Sequence, residues 1–325
     1  MVNMKEFLQN LRKHKEVWNS AKSNDGTVRY MLKGYKGYGE NAEQDKSLIR
    51  DTNIKYFNVD SDELLGDFVV VDFECGSSIR FLVEDLKDRF EESGWEGIES
   101  LIMSNVIAAV NLNSSATDFV KCLESYDTAK DRLIIKAVKK TDFLGSFAHR
   151  TVGDIALVLY GIVSDGEGLN TTKIPLEIVK NWGDVDDIIN NALENTLKLY
   201  EPRIYDNISD AFSNDSDVGE FMSKDSLRLS FNRGFAPMVT TNKRLNGSTA
   251  MFLPGVQEKL YNLIGNEYYV VFTSIHEAML HIDGTVTVDQ MKRSLADVNR
   301  HFGDEETLTW NIYKYDSTDQ TLKMI

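Results

Sequence analysis

The chain has 325 residues and a formal net charge of −15 at pH 7; it is 42% hydrophobic and 27% charged, with only 21 Gly and 4 Pro. That length points to two domains, and that composition excludes a largely disordered or fibrous chain. The acidic balance argues against general nucleic-acid binding, because phosphates would be repelled, and suits either solubility or imitation of nucleic acid.

Charge is unevenly spread, since residues 1–50 hold ten Lys/Arg against six Asp/Glu. Cys75 and Cys122 are two lone thiols, which fit a reducing cytosol and make neither a disulfide framework nor a metal site. The N-terminus, Met1 to Phe7, has no apolar signal region, and no run approaches the ~20 apolar residues of a membrane helix. These features predict a cytoplasmic chain with no membrane, no cofactor and no metal.

A helix is predicted from Met4 to about Ala21, with Phe7, Leu8, Leu11 and Trp18 near helical spacing. Next, Arg29, Tyr30, Lys33, Tyr35, Lys36 and Tyr38 alternate aromatic and basic character among glycines. Such a stretch could stack bases and hold phosphates, although a strand and turn packed on the domain explains it as well. Ile54–Val59 and Asp67–Cys75 read as strands. Ser78 is placed as the cap of a helix ending near Gly94, followed by helices at Trp95–Val110 and Thr117–Ala129.

Arg132–Val138 reads as a strand or short helix. Gly153–Val163 is the longest nearly unbroken apolar run, and it predicts a strand buried on both faces. A turn at 164–168 returns the chain through Leu169–Ile174 as an antiparallel partner. Pro175 opens a helix that Gly183 closes, and Asp184 caps the next, whose buried face is Val185, Ile188, Ile189, Ala192, Leu193, Thr196 and Tyr200. Asp184, Asp186 and Asp187 are explained by the helix dipole rather than by a metal. Glu201-Pro202 ends that helix, and the polar 207–234 segment reads as a solvated loop; its Asn214–Glu220 stretch lacks the Gly and Glu of a calcium loop.

Pro237–Asn242 is a short strand, and a turn at Lys243–Gly247 leads to Ser248 as a possible cap. A helix follows over Thr249–Ile264, opened or kinked at Pro254. Tyr268–Phe272 and Ile275–Ile282 read as strands, Thr287 or Asp289 starts a helix that ends near Gly303, and Trp310–Tyr315 is a closing strand. The fold class is therefore α+β: a mixed, largely antiparallel sheet packed by amphipathic helices, with a smaller α/β N-terminal region. The expected division is residues 1–130, with 1–66 as a possible subregion, and residues 131–325.

His276-Glu277-Ala278-Met279-Leu280-His281 invites a zinc-protease reading that fails on spacing, because its histidines are five apart rather than four. Read as a strand, the stretch sends His276 and His281 to opposite faces and puts Glu277 roughly 13 Å from His281. Ser274 beside His276 raises a hydrolase, but no Gly-x-Ser-x-Gly elbow exists, and adjacency in sequence is not triad geometry.

From Asp131 onward a series of motifs stands in order: Arg132-Leu133-Ile134, His149-Arg150, Asp154-Ile155-Ala156-Leu157-Val158, Leu193-Glu194-Asn195-Thr196, Val239-Thr240-Thr241-Asn242, Leu253-Pro254-Gly255 and Ser274-Ile275-His276-Glu277. This order resembles an uncharacterised family of Firmicutes proteins, domain of unknown function 5688, across residues 131–325 and more loosely across 72–130. Thr273 stands where the family's last motif has its first Ser. The resemblance implies a bacterial source, or a phage or other mobile element of such bacteria. It supplies no activity. It makes Asn242, Ser274, His276 and Glu277 the candidate shared surface, with buried hydrogen bonding as the competing explanation.

The resulting expectation is a non-enzymatic acidic binding or regulatory protein that acts through a protein partner, with anti-defence as one form. The alternatives are a hydrolase using His276 and Glu277, and nucleic-acid binding through residues 29–38.

Overall fold

The computed structural model describes residues 3–20, 54–62, 66–73, 78–164, 169–206, 210–212, 218–231 and 236–325. The chain divides into two compact units, Met1–Asp118 and Phe119–Ile325. The fold class is α+β, and every strand ladder among the described residues is antiparallel.

The first unit packs helix α1 (Met4–Ser20) with a three-stranded sheet of β1 (Ile54–Asp62), β2 (Gly66–Phe73) and β3 (Ser78–Leu82). Phe7 and Leu11, four apart on α1, are fully buried with Val69 and Val71 of β2. Ser78 does not cap a helix. It pairs with Asp72 as the first residue of β3, and the helix α2 starts only at Val83. Alternation over Ser78–Leu82 matches a strand whose Phe81 and Ile79 lean on the core. Helix α2 (Val83–Cys122) breaks at Gly94, whose φ of 65° and ψ of −161° only glycine adopts readily. Beyond that break it absorbs both expected helices as one, and the short α3 (Tyr126–Ala129) follows, capped by Ser125.

In the second unit, β4 (Leu133–Lys139), β5 (His149–Val152), β6 (Ile155–Ser164) and β7 (Asn170–Lys173) form one sheet. Strand β6 is its centre, paired with β4 on one side and with β5 and β7 on the other. Ile155, Leu157 and Leu159 enter the main core, while Ala156 and Val158 join Leu144 on the opposite face. The central apolar run is thus buried on both faces, as its composition predicts. Helices α4 (Leu176–Trp182) and α5 (Val185–Leu199) follow, and the Asp184 carboxylate accepts the Asp186 and Asp187 N–H groups. On α5, Ile188, Ile189, Ala192, Leu193 and Thr196 face inward.

A six-stranded sheet completes the unit, in the order β13–β12–β10–β11–β9–β8. Its strands are β8 (Pro202–Tyr205), β9 (Met238–Thr241), β10 (Tyr268–Phe272), β11 (Ala278–Ile282), β12 (Tyr313–Asp316) and β13 (Thr321–Met324). Several boundaries differ from expectation. Pro202 both stops α5 and starts an edge strand, where its missing N–H costs no ladder bond. Trp310–Ile312 precede β12, and β13 rather than β12 closes the sheet. Thr249–Ile264 is a 3₁₀ turn (Gly247–Phe252) followed by helix α6 (Val256–Ile264), with Pro254 between them. Helix α7 (Val288–Phe302) begins with Thr287 and Gln290 in a reciprocal capping box. The two sheets are tied by Asp154, in the β5–β6 turn. Its carboxylate accepts Thr309 Oγ1 (2.8 Å), Asn311 Nδ2 (2.9 Å) and Tyr313 Oη (2.6 Å).

Candidate functional site

Strand β10 ends at Phe272 and β11 starts at Ala278, so Thr273–Glu277 is a bend and not the start of a strand. Hydroxyl side chains favour this, because they offer the backbone local partners in place of a ladder. The Ser274 Oγ donates to Glu277 Oε1 (2.8 Å) and accepts the His276 N–H (2.9 Å). Thr273 Oγ1 donates to the same carboxylate oxygen at 3.0 Å. The imidazole turns elsewhere: its Nδ1 accepts the Asn246 N–H at 3.1 Å, which leaves the ring proton on Nε2.

A second segment clamps the bend from outside. Thr240 Oγ1 donates to the His276 carbonyl (2.7 Å), and Ser248 Oγ reaches the carbonyls of Ser274 (2.6 Å) and Glu277 (2.9 Å). The Ile275 N–H is held by the Glu306 carbonyl at 2.9 Å. Asn246, at φ 52°, turns the chain into the clamp, and Gly247 lies directly on it. A Cβ at Gly247 would stand 1.9 Å from Thr240 Oγ1 and 2.2 Å from the His276 carbonyl oxygen, closer than any side chain permits. Ser248 is accordingly a buried clamp and not a helix cap.

Ser274 is 3% exposed, His276 and Glu277 are half-buried, and Asn242 is exposed. Asn242 stands apart from the other three, at the end of β9, with its N–H on the Glu201 carbonyl. Sequence reasoning placed Thr240 in a strand motif, Asn246 in a turn and Ser248 as a possible cap, but did not bring them to the bend about 30 residues away; the Asn-Gly pair marks a turn but not what it touches. It also missed Arg203, which sits opposite Thr240 in β8, is 7% exposed and binds Glu201 Oε2 at 2.7 Å.

Chemically, a serine nucleophile has to hydrogen-bond an imidazole that can take its proton. Here the hydroxyl faces a carboxylate and a backbone N–H, and the imidazole accepts from backbone. No group of three or more His, Cys, Asp or Glu is arranged to hold a metal among the described residues. His281 stands within β11 opposite Tyr269, where burial holds its imidazole below the usual range. The Asp184 cluster caps α5, and Asp186 is paired with Arg150 at 2.9 Å. The candidates Arg29, Tyr30, Lys33, Tyr35, Lys36 and Tyr38 lie outside the described residues, as does 213–217 of the acidic stretch.

A cleft of about 630 Å³ opens between β5 and β13. Leu157, Leu193, Phe252 and Leu253 line it below, and Arg150, Glu258 and Lys323 stand at its rim. Its volume is that of an ordinary ligand or peptide cleft. No helix among the described residues is long and apolar enough to cross a membrane.

A family model matches residues 77–317, which takes in nearly all of the 131–325 stretch and most of the 72–130 stretch where the resemblance is looser. The chain belongs to a family of unknown function, DUF5688. No curated protein and no solved structure matches it.

Proposed function

We propose that this chain is a non-enzymatic binding or regulatory protein of a bacterium or mobile genetic element, working in the cytoplasm through a protein partner. An anti-defence role, with the acidic surface occupying a nucleic-acid cleft on that partner, is one specific form of it.

The observation that supports this reading is the wiring of the 273–277 bend. Ser274, His276 and Glu277 make the set on which a hydrolase would rest, and their polar atoms hold the bend together: hydroxyl to carboxylate, backbone N–H to hydroxyl, backbone N–H to imidazole. The net charge of −15 supports an electrostatic contribution to partner binding, which salt would weaken.

The test is capture of a partner by the tagged full chain from a bacterial lysate, with and without nuclease, followed by rebinding from purified components. The expected result is a stoichiometric protein partner that resists nuclease, rebinds alone and is released as salt rises. His276→Ala, where folded, leaves that binding intact. Turnover of an ester or amide substrate that Ser274→Ala abolishes in a folded protein would overturn the reading.

A further inference from the structure

A second polar cluster lies on the outer face of the β4–β6–β7 sheet, away from the bend. Register fixes its members: Ile134 of β4 and Lys173 of β7 both stand opposite Tyr160 of β6, and Thr171 stands opposite Ile162. Residues directly opposite in an antiparallel ladder share a face, as do residues two apart along a strand, so Lys136, Tyr160, Thr171 and Lys173 lie on one surface. The Lys136 Nζ sits 4.9 Å from the centroid of the Tyr160 ring and donates to Thr171 Oγ1 at 2.8 Å. The Lys173 Nζ stands 5.7 Å and 5.6 Å from the centroids of Phe143 and Phe147. Phe143 is 70% exposed at the edge of this face.

Neither amine has a carboxylate partner among the described residues, in a chain with 51 Asp and Glu. A half-buried ammonium without a counter-charge is costly, and a ring face and one hydroxyl offset only part of that cost. Among the described residues, two such cations share a face with two hydroxyls and no paired carboxylate.

We propose that this face is a binding site for the oxyanion group of a small molecule, a phosphate or a carboxylate, held by the Lys136 and Lys173 amines and the Thr171 and Tyr160 hydroxyls. An oxyanion supplies the missing counter-charge and accepts from all four groups at once. Phe143, exposed beside Lys173, offers a flat apolar surface to the body of the same molecule. Burial holds the Lys136 amine below its usual range and raises the Tyr160 hydroxyl, and a bound anion would return Lys136 toward full protonation. The site is independent of the partner reading, since it uses neither the acidic surface nor the 273–277 bend.

The test is thermal unfolding of the full chain in increasing inorganic phosphate or acetate, against chloride at equal ionic strength. The expected result is a saturable rise of about 2–4 °C in wild type with one or both oxyanions. Lys136→Met and Lys173→Met lose the rise, and Lys198→Met, on the exposed side of α5, keeps it. The oxyanion that gives the larger shift identifies the group. Absence of a saturable rise beyond chloride, or its persistence in both lysine variants, would overturn the proposal. Lys136→Met keeps the packed methylenes and removes an uncompensated charge, so it is expected to fold, and Lys173→Met is a second variant on another strand.

Discussion

The 273–277 bend and the β4–β6–β7 face are both polar regions of the second unit, and they are built on opposite terms. In the bend, hydroxyls, imidazole and carboxylate bond one another and nearby backbone, with Thr240, Asn246 and Ser248 completing the set. On the sheet face, two cations meet aromatic rings and a hydroxyl, and no carboxylate among the described residues answers them. The bend has the residue types that catalysts use and little free capacity. The sheet face has residue types that attract no notice and capacity left over. Remaining hydrogen-bonding and charge capacity is the better guide to where a ligand would sit.

Substitutions can break that comparison or sharpen it. Gly247→Ala should have the largest effect, because its Cβ would overlap Thr240 Oγ1 and the His276 carbonyl. A loss of about 3–5 kcal/mol, or failure to fold, is expected in urea denaturation. Asp154→Ala should follow at about 2–4 kcal/mol, since Thr309, Asn311 and Tyr313 all lose one acceptor. Lys136→Met should change stability by no more than about 1 kcal/mol in either direction, because the lost cation–π and hydrogen bonds are offset by removing an unpaired buried charge. A large loss there would mean that the amine is a structural element like Ser274, and the contrast between the two regions would fail.

The smallest effect expected is one of pH. Burial lowers the His281 pKa in the fold, so below about pH 6.5 the unfolded chain takes up that proton first. Stability should therefore fall as pH drops from about 6.5 toward 5, and His281→Leu should flatten that slope in denaturation curves taken at several pH values.

Much of the fold was legible because the pattern was strong and local. The apolar run into β6, the capped and amphipathic α5, and the Thr287 start of α7 each state their own structure. Short edge elements were not legible. Pro202–Tyr205 begins with a proline that reads as a helix stop, and Thr321–Met324 is a four-residue strand fixed by its pairing with β12. Ser78 is chemically a good cap, yet its place is set by its ladder to β2. At the bend, the adjacency of Ser274, His276 and Glu277 was visible, but its meaning depends on Asn246 and Ser248, which only tertiary structure delivers. Lys136 carried one faint signal, a single charge between Ile134 and Val138 on the same strand face.

The most direct test of the central claim is urea denaturation of Ser274→Ala beside wild type. The expected loss is about 2–4 kcal/mol, because the substitution strips the His276 N–H of its acceptor and Glu277 of a donor in a buried setting. A loss below about 0.5 kcal/mol, the range of an ordinary surface change, would contradict the account and return Ser274 to the list of groups available for chemistry.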